Sequence, residues 1–74
     1  MRRSVIEASE YVQHIGRRLG GKGRPVGECI ELAALSLGWR YWRTYDIWYG
    51  RTWRIDSEEM DVLRARAGHI KRRK

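Results

Sequence analysis

The sequence predicts a small all-α domain of four short helices. Three observations predict it. Apolar residues recur at helical spacing in four separate runs. A glycine closes each of the first three runs and sits at the end of the fourth. Strand-like character is confined to Thr52-Trp53-Arg54-Ile55. Seventy-four residues are enough for one domain with a modest core, whose stability is expected to be marginal without a partner or ligand.

The first helix is predicted over about residues 5–19. Ser4-Val5-Ile6-Glu7 has the Ser-x-x-Glu form of a capping box. Val5, Ala8, Val12, Ile15 and Leu19 then fall on one face. Gly16 weakens this helix and Gly20-Gly21 stops it. Gly20-Gly21-Lys22-Gly23-Arg24 reads as a flexible basic linker. It is not a P-loop, because no Gly-Lys-Ser/Thr ending and no preceding strand accompany it.

The second helix is predicted over 26–37. Pro25 suits its first turn, and Glu28 and Glu31 complement its dipole. Gly38 ends it and is suited to a positive φ. The third helix is predicted over 40–49, closed by Gly50, with no Ser, Thr, Asp or Asn at its start. The fourth is predicted over 57–67. Asp56-Ser57-Glu58-Glu59 opens it, with Ile55 and Met60 placed as a hydrophobic staple. Met60, Leu63 and Ala67 share a face and Gly68 closes the run. Residues 1–68 thus form the domain, and 69–74 a basic tail expected to be disordered by itself.

The charge points to a polyanion. Sixteen basic residues oppose nine acidic ones, for a formal net charge of +7, and thirteen of the sixteen are arginines. Arginine is favoured where planar, bidentate contact to phosphate or guanine is needed. The single cysteine, Cys29, lies in an apolar helical run and reads as a small core residue. It cannot form an intrachain disulfide, which fits a reducing, cytoplasmic setting. His14 and His69 have no Cys or acid at ligand spacing, so neither a metal nor a cofactor is expected. No apolar segment is long enough for a membrane span. No Ser, Cys or carboxylate pair is arranged with a base as an enzyme requires.

Helix 3 carries the functional signal. At about 100° per residue, Thr44, Ile47 and Trp48 share one side, and Trp42, Tyr45, Asp46 and Tyr49 the other. With the first side packed inward, an aromatic face looks out, and soluble proteins rarely expose one without use for it. The inverted wheel would make Trp42, Tyr45 and Tyr49 core and leave the arginines merely solvated. Trp39 and Trp53 are expected in the core in either case.

Ala34, Leu37, Gly38, Ile47 and Gly50 stand at the spacing of the lambda-repressor and Cro-like helix-turn-helix domains, which the chain resembles over about residues 26–64. It departs from them at Thr44, where valine or isoleucine is usual, at Ile30, where glutamine is frequent, and in having no fifth helix. The resemblance implies double-stranded DNA as partner, with helix 3 in the major groove, and transcriptional control of a phage or mobile-element type. Arg40, Tyr41, Trp42, Tyr45 and Asp46 would read base edges. Arg40 suits guanine, Trp42 or Tyr41 a thymine methyl, and Asp46 a cytosine amine or an arginine. Arg43, Arg51, Thr52 and Arg54 would hold phosphates. Covering two half-sites calls for a homodimer.

Three other functions fit parts of the sequence. Gly50 to Ile55 followed by an acid-rich helix start resembles the wing of excisionase and MerR-like proteins, although no room is left for a first wing strand. A small phage-type inhibitor could grip a protein partner with the same Trp, Tyr and Arg residues. Single-stranded nucleic acid or RNA could stack on Trp42, Tyr45 or Tyr49.

Overall fold

The computed structural model describes residues 3–71. Four helices follow one another: α1 Arg3–Gly20, α2 Val26–Leu37, α3 Tyr41–Trp48 and α4 Ser57–Lys71. No strand occurs among the described residues, and no helix there is long and apolar enough to cross a membrane. The protein is all-α, as its apolar spacing predicts.

α1 is the central element and packs against each of the other three helices, while α2 also packs on α3. Val5, Ala8, Val12 and Ile15 of α1 are at most 1% exposed. Ala8, Val12 and Ile15 meet Cys29, Ile30, Ala33 and Leu37 of α2, Ile47 and Trp48 of α3, and Met60, Leu63 and Ala67 of α4 in one core. Leu19, placed on that face by its spacing, is instead 46% exposed. In its last turns α1 turns Gly16 and Gly20 inward. A Cβ on Gly20 would stand 2.7 Å from Cys29 Sγ, so the helices approach too closely there for a side chain.

Gly16 sits at the tightest point of the fold. A Cβ there would lie 2.5 Å from Cζ3 of Trp48 and 2.8 Å from the Cys29 carbonyl oxygen. The residue that weakens α1 as an isolated helix is therefore the notch that lets α2 and α3 close on it. Trp48 is held there from three sides. Its ring fills the notch, and the Arg17 guanidinium lies 5.6 Å from the ring centroid. Its carbonyl accepts from Ser9 Oγ at 2.7 Å and Gln13 Nε2 at 2.8 Å. Two α1 side chains thus satisfy an otherwise orphaned carbonyl at the end of α3.

The helix ends follow the sequence in part. Gly38 has φ 74° and ψ 28°, and Trp39 N–H donates back to the Ala34 carbonyl at 2.9 Å. That is the Schellman closure that needs a left-handed residue. Gly50, at φ 67°, closes α3 the same way, with Arg51 N–H bonded to the Asp46 carbonyl. Pro25 stands just before α2 as its N-cap rather than within the first turn. Asp56 N–H donates to Glu59 Oε1 at 3.1 Å, one half of the predicted box at α4.

Other expectations change. Ser4 lies inside α1, after Arg3, and so does not cap it. Glu7 is engaged elsewhere: it accepts from the Tyr11 hydroxyl at 2.9 Å and pairs with Arg64 of α4 at 3.6 Å. The same carboxylate raises the Tyr11 phenol above its ordinary range, chiefly by accepting its proton in that bond. α4 runs through Gly68 to Lys71. One interior glycine costs about 1 kcal/mol, too little to end a helix whose buried stripe is already packed. Of the expected basic tail, 69–71 thus continue α4, and 72–74, like residues 1 and 2, lie outside the described residues. The strand candidate Thr52 to Ile55 is irregular backbone, so the hairpin of a winged protein has no counterpart among the described residues.

Candidate nucleic-acid interface

The turn Gly38-Trp39-Arg40 delivers the chain from α2 into α3 within three residues. Trp39 packs against the core and fixes the turn from beneath. α3 then buries Thr44, Ile47 and Trp48, which are at most 2% exposed. Thr44 tolerates burial because its hydroxyl donates to the Arg40 carbonyl at 3.0 Å. With that side committed, the helix period turns Trp42 and Tyr49 outward, at 68% and 50% exposure. The inverted wheel is excluded.

The outward side is a ladder of touching rings. Trp42 meets Tyr41 edge-on at a centroid distance of 5.0 Å and Tyr45 at 5.2 Å, and Tyr45 meets Tyr49 at 4.9 Å. Edge and tilted contacts of this kind stabilise each ring by about 0.5–1.5 kcal/mol and hold the rings against one another. Tyr41 and Tyr45 are half-buried, with one side against the core and the other within the ladder. The Tyr41 hydroxyl would lie 3.7 Å from a Cβ on Gly27, so the start of α3 adjoins the first turn of α2. Asp46 is half-buried at the side of the ladder.

Of the arginines expected at this surface, Arg40, Arg51 and Arg54 are exposed. Arg40 is the α3 N-cap, in extended backbone with no side-chain cap bond. Arg54 pairs with Asp56 at 3.3 Å, with both side chains well exposed. Such a pair contributes little and yields readily to a phosphate.

Arg43 and Thr52, expected at phosphates, are engaged within the fold. The Arg43 fork binds both oxygens of Glu59, through Nε at 2.9 Å and through one terminal nitrogen at 2.6 Å. The latter nitrogen also donates to the Arg54 carbonyl at 3.2 Å, and the other terminal nitrogen to Thr52 Oγ1 at 2.6 Å. The Thr52 hydroxyl in turn donates to the Arg54 carbonyl at 3.1 Å. This bidentate pair is partly shielded from water. The Glu59 bond raises the Arg43 pKa further, and the Arg43 bond holds the Glu59 carboxyl below the usual range, against the opposing effect of burial. α3 and α4 do not approach one another closely through their backbones, so Arg43 bridges them and pins the loop between. Sequence reasoning missed this bridge because nothing in a separation of 16 residues marks Glu59 as a partner.

The loop also corrects Trp53. Expected in the core, it is 81% exposed. Arg43 bonds the residues on either side of Trp53, Thr52 at its hydroxyl and Arg54 at its carbonyl. A further basic surface lies at the end of α1, where Arg17, Arg18, Lys22 and Arg24 surround an open cleft with Cys29 at its edge. Arg24 is partly engaged there, by the Gly20 carbonyl and Glu28.

No protein-family model matches the chain, and neither a curated protein nor a solved structure matches it.

Proposed function

We propose that this protein binds double-stranded DNA, with α3 in the major groove, as a small transcriptional regulator. The carrying observation is the outward face of α3: a ladder of aromatic rings, opened by an exposed Arg40 and followed by exposed Arg51 and Arg54. A helix held by its buried side, joined through a three-residue turn to the helix before it, is suited to insertion into a groove about 12 Å wide. Arg40, Tyr41, Trp42, Tyr45 and Asp46 then face base edges. Arg51 and Arg54 neutralise phosphates and set register without specifying sequence. Arg43 and Thr52 serve indirectly, by fixing the loop that carries those two arginines.

The test pairs affinity with specificity. Duplexes selected from a random pool are compared with scrambled ones for wild type, Trp42→Ala and Arg54→Ala. Trp42→Ala should shrink the gap between selected and scrambled DNA by about 1–3 kcal/mol, whereas Arg54→Ala should weaken both about equally. Selection that enriches no sequence, with equal losses from both variants, would remove sequence-specific reading from the proposal.

A protein partner is the second reading. It is favoured by the groove between α1 and α3, where Ile6 and Tyr49, both substantially exposed, stand beside Ser9, Glu10 and Gln13. Binding that survives high salt and excess competitor DNA would support it over the first.

A further inference from the structure

We propose that Trp53 is a groove-inserting residue, which enters the minor groove next to the major groove that α3 occupies; this rests on the duplex-binding reading above. Three observations carry it. Trp53 is 81% exposed, more than any other large apolar side chain among the described residues. It stands in a loop that Arg43 holds on either side of it, by bonding the Thr52 hydroxyl at 2.6 Å and the Arg54 carbonyl at 3.2 Å. An indole buries about 150–250 Å² where it is packed. Lastly, exposed arginines flank it at positions 51 and 54.

The spacing suits one kind of surface. Three virtual bonds of about 3.8 Å separate Arg51 from Arg54, so their Cα atoms lie at most about 11 Å apart. The minor groove is about 6 Å wide between its phosphate walls. Two long cationic side chains at that separation reach both walls while the residue between them stands over the groove. Nothing polar on an indole except its N–H needs a partner, and the sugar-lined walls offer apolar contact. Apolar wedges flanked by cations are a recurring way to enter this groove, and they unstack or bend the duplex as they do so. The exocyclic amine of guanine stands in the groove floor, so entry favours A·T pairs beneath the loop.

The experiment uses the full chain with duplexes identical in the segment under α3 and differing in the flank under the loop: A·T, G·C, or inosine·C, which lacks the guanine amine. Melting temperature, affinity and end-to-end energy transfer across a doubly labelled duplex are read for wild type, Trp53→Ala and Trp53→Phe. Wild type should prefer the A·T and inosine·C flanks and shorten the end-to-end distance. Trp53→Ala should still unfold cooperatively, bind about tenfold or more weakly and lose both flank preference and bending. Trp53→Phe should retain part of each. Trp53→Ala binding within twofold of wild type, with the same flank preference, overturns the wedge and leaves the indole to a protein partner, while α3 reading stands. If wild type binds no duplex, both proposals fall together.

Discussion

Replacing Gly16 by alanine tests the packing that sets the position of α3. On helix propensity alone the change should stabilise α1 by about 1 kcal/mol. The structure predicts the opposite sign. The new methyl would lie 2.5 Å from Trp48 Cζ3 and 2.8 Å from the Cys29 carbonyl oxygen, whereas carbon contacts are optimal at about 3.5–4.0 Å. Neither obstacle gives way easily. The Trp48 ring is clamped by Arg17 and by the bonds that Ser9 and Gln13 make to its carbonyl, and the Cys29 oxygen is helical backbone. Overpacking of this kind costs about 1–3 kcal/mol, and two simultaneous clashes put it at the upper end. The net loss is then about 1–2 kcal/mol, which for a domain of this size lowers Tm by about 4–16 °C. Thermal unfolding followed by circular dichroism measures it. Trp48→Phe removes the ring atoms nearest the new methyl, so Gly16→Ala should cost less in that background than in wild type. A Gly16→Ala protein that melts at or above wild type would refute the notch, and with it the argument for why α3 sits where it does.

Three further outcomes follow from the same contacts. Gly38→Val forces a β-branched residue into φ 74° and should cost on the order of 1 kcal/mol or more, visible as a fall in denaturation midpoint. Arg43→Met breaks the bridge between α3 and α4 and should lower stability by about 1–2 kcal/mol, whereas Arg51→Ala, at an exposed position, should leave Tm within about 2 °C. The Glu59 carboxyl is held below its ordinary range by Arg43, so it contributes stability above the unfolded carboxylate pKa and loses it as pH falls through the lower folded value. The Tm difference between wild type and Glu59→Gln should accordingly be largest near neutrality and shrink on acidification below about pH 4; a difference independent of pH would mean the bridge is not ionic.

Much of the frame was legible because it is set by local periodicity. The split of α3 into Thr44, Ile47 and Trp48 against Trp42 and Tyr49 follows from 100° per residue, and the burial bears it out. Gly38 was legible because a left-handed turn between two apolar runs leaves little choice of residue. What escaped depends on partners remote in sequence. Gly16 reads as a flaw in a helix until Trp48 is brought against it. Arg43 reads as one more cation until Glu59 is folded beneath it. Trp53 reads as core by its size alone, because hydropathy cannot register that Arg43 bonds the residues on either side of it. Leu19 was placed inward by its spacing, and it is exposed where Gly16 and Gly20 make the close helix contacts instead.

The central claim, that the cationic and aromatic surface around α3 takes a DNA duplex, is tested most directly by the salt dependence of duplex binding. Arg40, Arg51 and Arg54 are exposed cations at that surface, and Lys22 and Arg24 belong to the further basic surface at the end of α1. If about four to six phosphates are neutralised, log K should fall against log salt with a slope of roughly −4 to −5. Affinity for duplex should then drop about 250- to 1,000-fold between 50 and 200 mM salt. A flat response over that range, or no binding to duplex at the lower salt, would contradict the account.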